Sequence, residues 1–115
     1  MQRLILVADE PKEIAFYEEV YGRMGYKVVP LQFRNEVEAL VSHEKFSMAV
    51  INFNQENVEV SGGEILARLR VACPNLSLMA VLTEESTNRP VGIDWFIRKP
   101  LTPKKLEELT ARLRR

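Results

Sequence analysis

Several residue types that mark particular classes of protein are scarce in this chain. Its 115 residues include one cysteine and one histidine. A single cysteine excludes an internal disulfide, so we expect a cytoplasmic protein in which Cys73 is a structural thiol. Acidic and basic residues balance at 16 each, which disfavours direct binding to nucleic acid or to a membrane surface. The apolar runs are too short for a membrane span or a signal peptide.

The charge is nevertheless uneven along the chain. Residues 98–115 contain seven Lys or Arg and only two Glu. A solvated helix face with cations near its carboxyl end explains this run, and a docking patch is the alternative.

The order of apolar segments predicts an α/β fold. We predict strands over residues 4–8, 26–31, 46–53, 76–82 and 95–97, with helices after four of them. The strands are apolar without alternation, which indicates that both faces of the sheet are covered. Strands that alternate with helices favour a doubly wound parallel sheet, here in a single domain of residues 1–115. Residues 84–94 have almost no apolar face, so we expect a loop or a single turn there.

Capping residues place the ends of two helices. Asp9 or Glu10 is a candidate cap for the first helix, which Pro11 helps to start and Gly25 ends. Thr102 followed by a proline is predicted to start the last helix.

Polar residues stand where the predicted strands end. The first strand is followed by Asp9 and Glu10, the third ends at Asn52, the fourth is followed by Thr83, and the fifth by Lys99. The carboxyl ends of parallel strands share one edge of the sheet, where α/β proteins bind ligands. We therefore expect an acid, an amide, a hydroxyl and an ammonium group to converge there.

Five segments, in this order, resemble the response-regulator receiver domain of two-component signalling, and they cover essentially the whole chain. They are LILVADEP, FSMAVINFN, SGGEILARLR, VLTEES and WFIRKPLTPKKLEELTARL. The resemblance implies a flavodoxin-like, five-stranded parallel sheet in the order 2-1-3-4-5. The segment between the fourth and fifth strands is shorter than in that family, so the fourth helix is expected to be missing or shortened.

The resemblance also assigns roles to the strand ends. Asn52 matches the aspartate that receives the phosphoryl group, and alignment backward from Gly62 places Asn54 there instead. Ala8 and Asp9 match the acidic pair that binds Mg²⁺, so the first acid is lost.

Three further positions match the family downstream. Thr83 and Phe96 match its switch residues, and Lys99 matches the lysine that pairs with the phosphoryl oxygens. Pro100 is a candidate for the proline that follows a cis peptide bond.

These differences predict a degenerate receiver, or pseudo-receiver. An amide gives no acyl phosphate, and a site with one remaining acid should bind Mg²⁺ weakly, if at all. We therefore expect no metal, no cofactor and no enzyme activity. We also expect Lys99 to pair with Asp9 or to bond directly to Asn52.

The predicted function is signal transduction through protein–protein interaction. Residues 83–115, with the aromatic Trp95, are the expected binding face of a monomer or weak dimer. Two alternatives stay open: a phosphoaccepting receiver that uses Glu56 or Glu59 in the long loop, and a pseudo-receiver that binds a small ligand.

Overall fold

The computed structural model describes residues 2–8, 10–31, 37–43, 45–52, 62–82 and 92–113. Its strands are β1 (Gln2–Val7), β2 (Tyr26–Pro30), β3 (Met48–Asn52), β4 (Ser77–Leu82) and β5 (Trp95–Arg98). Its helices are α1 (Pro11–Arg23), α2 (Val37–His43), α3 (Gly62–Ala72) and α4 (Pro103–Leu113). The predicted alternation of strands and helices is confirmed.

The five strands form one parallel sheet in the order β2-β1-β3-β4-β5. This is the order and the flavodoxin-like fold that the resemblance implied. β1 and β3 are neighbours in the interior of the sheet, and β2 and β5 are the outermost strands. Because every strand runs in the same direction, all the carboxyl ends lie at one edge of the sheet, where Asn52 closes β3.

The core has two halves, one on each face of the sheet. Alternate residues of β1 face opposite ways: Leu4 and Leu6 pack with α1 and α4, whereas Ile5 and Val7 pack with α2 and α3. All four side chains are buried. Helices cover both faces, as expected for continuously apolar strands.

The ends of α1 and α4 agree with the predicted caps in all but one detail. Glu10 occupies the position before α1, but its side chain makes no capping hydrogen bond. Gly25 has a φ of 89° after the helix, a left-handed conformation that glycine adopts without strain. The backbone N–H of Lys105 donates to the hydroxyl of Thr102 at 3.2 Å, which caps α4.

The sequence placed some boundaries one or two residues too far out. β3 starts at Met48, not at Phe46, which packs half-buried against the core before the strand. The predicted shortening of the fourth helix concerns residues 83–91, which lie outside the described residues. None of the described helices is both long enough and apolar enough to cross a membrane.

Arg70, near the end of α3, forms hydrogen bonds with two segments at the amino edge of the sheet, residues 74–76 and 92–94. Its guanidinium donates to the carbonyls of Pro74 and Leu76, at 3.0 Å each, and to that of Gly92 at 2.6 Å. It also pairs with the carboxylate of Asp94 at 3.1 Å. The same carboxylate accepts the backbone N–H of Leu78 at 2.8 Å. These bonds fix the start of β4 against the turn that leads into β5.

Candidate functional site at the carboxyl edge of the sheet

Two of the predicted site residues lie at the ends of β3 and β5, the strands on either side of β4. Asn52 is the last residue of β3 and is half-buried. Lys99 follows β5, and its backbone N–H donates to the carbonyl of Leu82 at 2.9 Å. This bond continues the pairing of β4 with β5 by one residue and fixes where the Lys99 side chain starts.

The carboxylate of Glu13 joins these two residues. One of its oxygens, Oε1, accepts a hydrogen bond from Nζ of Lys99 at 2.6 Å. The other, Oε2, accepts one from Nδ2 of Asn52 at 2.5 Å. The Glu13 and Lys99 side chains keep only 23% and 30% of their exposure, so water screens this ion pair incompletely.

Glu13 is brought to the site by the first turn of α1. The helix begins at Pro11, so Glu13 is its third residue. A carboxylate in a first turn also interacts favourably with the positive end of the helix dipole. Glu13 does not follow a strand, so the pattern of polar residues at strand ends does not predict it. The available signal was an acid one helical turn after Asp9.

The expected partner of Lys99 was Asp9 or Asn52. Among the described residues its partner is Glu13, which bridges the ammonium and the Asn52 amide. Asp9 lies outside the described residues, as does the switch candidate Thr83. Ala8 is half-buried against the α1 side of the core, so its methyl group adds no charge to the site.

Two polar atoms near this cluster are buried without a hydrogen-bond partner among the described residues. They are the Oδ1 of Asn52 and the hydroxyl of Tyr17. Burial raises the pKa of Tyr17 well above its ordinary value, and the negative charge of Glu13 raises it further. Both effects favour the neutral form of the Tyr17 phenol.

A cavity of about 260 Å³ lies beside the Glu13–Lys99 pair, between α1 and the segment that follows β5. It is lined by the pair itself together with Lys12, Phe16, Tyr17, Pro100 and Leu101. The peptide bond between Lys99 and Pro100 in its wall is cis, as the resemblance implies. The walls are mainly apolar, and an exposed ammonium group, that of Lys12, is among them.

Two of the remaining predicted residues lie on the edge strand β5. Trp95 keeps 39% of its exposure, and it is one of two large apolar residues exposed in the described part of the chain. Phe96 is half-buried, with the guanidinium carbon of Arg98 5.9 Å from the centre of its ring. The alternative acceptors Glu56 and Glu59 lie outside the described residues.

No protein-family model matches the sequence. No curated protein matches it either. Solved structures do match over nearly the whole chain. The chemotaxis protein CheY4 of Vibrio cholerae superposes with a TM-score of 0.82 at 19% identity, over 98% of each chain. A CheY-like protein, tadZ, of Pseudomonas aeruginosa PAO1 has a TM-score of 0.80 at 25% identity, over 98% of this chain and 99% of its own.

A third match is a receiver domain described with its metal. It belongs to the sensor histidine kinase PA1611 of P. aeruginosa PAO1, with a magnesium ion coordinated in the active-site cleft. Its TM-score is 0.82 at 14% identity, over 97% of this chain and 96% of that one. The structural neighbours of this chain are therefore CheY-like response-regulator receiver domains, and the chain has their fold.

Proposed function

We propose that this chain is a receiver-type module of two-component signalling that works by binding a partner protein and is not phosphorylated at the usual position. The observation that carries the proposal is the hydrogen bond that the Asn52 side chain makes within the chain. Its amide donates to Glu13, which in turn pairs with Lys99. The residues that would receive and neutralise a phosphoryl group are already joined to an internal anion.

The chemistry of Asn52 supports this proposal. Transfer to a carboxylate needs an anionic oxygen as nucleophile, and an amide supplies none. The amide nitrogen is further committed as a hydrogen-bond donor, with its lone pair delocalised into the carbonyl. Replacement of aspartate by asparagine therefore removes the reaction and leaves the size of the side chain almost unchanged.

The described residues do not fit a Mg²⁺ site of the kind named for the PA1611 receiver domain. Mg²⁺ needs near-octahedral oxygen ligands, including carboxylates. Ala8 offers a methyl group, and both oxygens of Glu13 already accept hydrogen bonds. We propose that the module works without a metal and without enzyme activity of its own.

Phosphodonor treatment tests the first half of this proposal. The protein is incubated with acetyl phosphate and Mg²⁺, and its intact mass is measured. We expect no added phosphoryl group, with a receiver domain that keeps its aspartate as the positive control. A phosphoryl adduct that hydroxylamine removes would refute the proposal. Loss of that adduct in a Glu56→Gln or Glu59→Gln variant would establish a displaced phosphoryl acceptor.

The edge strand β5 and the helix α4 supply the proposed binding face. Trp95 is exposed there, and Arg98 lies beside the ring of Phe96. Exposed cations of α4, Lys104, Lys105 and Arg112, continue the face. Aromatic residues and arginine are enriched at the centres of protein interfaces. An apolar centre among cations favours a partner with an acidic rim.

Matched surface variants test the second half. Trp95→Ser and Val71→Ser each remove an exposed apolar side chain, and Val71 lies on α3, on the other side of the sheet. Chemical cross-linking in the source cells, followed by mass spectrometry, is expected to give one partner. That partner should be lost with Trp95→Ser and retained with Val71→Ser. Equal retention in both variants would place the binding face elsewhere.

A further inference from the structure

Two donors on separate strands converge on one carboxylate at the candidate site. Lys99 approaches Oε1 of Glu13 at 2.6 Å, and Asn52 approaches Oε2 at 2.5 Å. Each carboxylate oxygen therefore has its own donor, one of them charged. Two donors aimed at adjacent oxygens form the pattern by which proteins recognise carboxylate and phosphate groups, and charged donors make such bonds short and strong.

The backbones that carry the two donors are held by the sheet, independently of Glu13. Asn52 belongs to β3, where it is paired with Val81 of β4. Lys99 is fixed through its backbone bond to Leu82. Glu13 comes instead from α1, which packs on one face of the sheet. The sheet therefore supplies the anion-binding groups and the helix supplies the anion.

We propose that Glu13 is the internal ligand of an oxyanion site formed by Lys99 and Asn52, and that a free small oxyanion binds there only when the Glu13 carboxylate is absent. The proposal rests on the proposed function in one respect, namely that Asn52 acts as a hydrogen-bond donor and not as a phosphoryl acceptor. It adds that the site is closed by its own chain.

The neighbouring cavity, which Glu13 and Lys99 line and Asn52 does not, gives a free anion access to the site once the Glu13 carboxylate is removed. Its volume of about 260 Å³ is several times the roughly 30 Å³ that a water molecule takes up in the liquid. Lys12 adds a second positive charge to its lining. A tetrahedral oxyanion such as inorganic phosphate matches this charge and these donors. A bulky organic ligand would have to displace the apolar wall.

Competition with Glu13 lowers the apparent affinity of such an anion. A ligand that needs a rarely populated open state binds more weakly in proportion to the open fraction. Removal of the carboxylate abolishes this competition. It also leaves the half-buried ammonium of Lys99 without the partner that it has among the described residues.

Calorimetric titration with inorganic phosphate, at constant ionic strength, tests the proposal. We expect Glu13→Ala to bind phosphate at least about tenfold more tightly than the unmodified protein. Glu18→Ala is the matched control, because Glu18 is an exposed residue of the same helix. The gain should disappear in the double variant Glu13→Ala/Lys99→Met. An unchanged affinity in Glu13→Ala, or a gain that survives loss of the lysine, would overturn the proposal.

Three further measurements keep the outcome interpretable. If Glu13→Ala does not fold, Glu13→Gln keeps the length of the side chain while removing its charge, and the same order of affinities is expected. The side-chain NH₂ resonance of Asn52 should shift from its position in the unmodified protein when Glu13 is replaced. The same resonance should stay unchanged in Glu18→Ala. Intact mass after titration separates reversible binding from a covalent adduct, so failure of this inference is distinguishable from failure of the proposed function.

Discussion

Substitution of Asn52 by aspartate should destabilise the fold of this chain, although under the proposed function it restores the residue that receiver domains phosphorylate. The amide donates to Oε2 of Glu13 at 2.5 Å. In Asn52→Asp a carboxylate oxygen takes the place of that donor, so two anions face each other. The hydrogen bond is lost and a repulsion replaces it.

The magnitude follows from the geometry of the site. Two unit charges about 4 Å apart repel by roughly 4 kcal/mol at an effective dielectric constant of about 20. Loss of a hydrogen bond to a charged acceptor adds about 1.5–3 kcal/mol. The ammonium of Lys99, 2.6 Å from Glu13, would be shared by both carboxylates and offset much of this. We expect a net loss of about 2–3 kcal/mol in the free energy of unfolding.

Urea unfolding at neutral pH, followed by circular dichroism, measures this loss. Asn75→Asp is the matched control, because Asn75 is exposed in a turn and undergoes the same chemical change. It should stay within about 0.5 kcal/mol of the unmodified protein. The double variant Glu13→Gln/Asn52→Asp has one anion and one amide again, and should recover to within about 1 kcal/mol. An Asn52→Asp variant as stable as the parent would refute the contact between Asn52 and Glu13.

Two other predictions concern the core and the amino edge of the sheet. Arg70→Met removes hydrogen bonds to three carbonyls and to Asp94. Urea unfolding should therefore show a loss of about 1–2 kcal/mol in the free energy of unfolding. Arg23→Met, which removes an exposed ion pair with Glu19, should lose less than about 0.5 kcal/mol. Burial raises the pKa of Tyr21 from 10.0 to about 12, so the stability that its neutral form provides is complete below pH 10 and falls as the pH rises through 12. Unfolding curves between these pH values should show a smaller fall in Tyr21→Phe, and an equal fall in both proteins would contradict the burial of the phenol.

The sequence predicted the sheet well because the signals were strong and local. Each central strand is a continuous apolar run, and the helices on the two sides of the sheet bury both of its faces. Boundaries were less predictable. Phe46 is as apolar as the strand beyond it, but hydrophobicity alone does not show where ladder pairing begins. Here the N–H of Ser47 already donates to the carbonyl of Arg3 at 2.9 Å, one residue before β3.

The candidate site was predicted only in part, for a different reason. Asn52 and Lys99 could be placed at one edge because parallel strands end together. Glu13 could not be placed there in the same way. Its position depends on the angle at which α1 leaves β1 and on the rotamer of a long side chain. Neither is fixed by apolar periodicity, which shows the buried face of a helix and not the direction of its polar residues.

Charge compensation nevertheless required an anion close to Lys99. A half-buried ammonium without a partner is costly, so loss of carboxylates at a site that keeps its lysine favours replacement of the anion by another residue. Ala8 and Asn52 are neutral, and Glu13 supplies the charge from one turn into α1. Among the described residues, the anion that pairs with Lys99 is thus a helix side chain that already accepts two hydrogen bonds. Under the proposed function, a receiver-type site with asparagine at this position keeps its lysine and a carboxylate that balances it, and it lacks the group that would react.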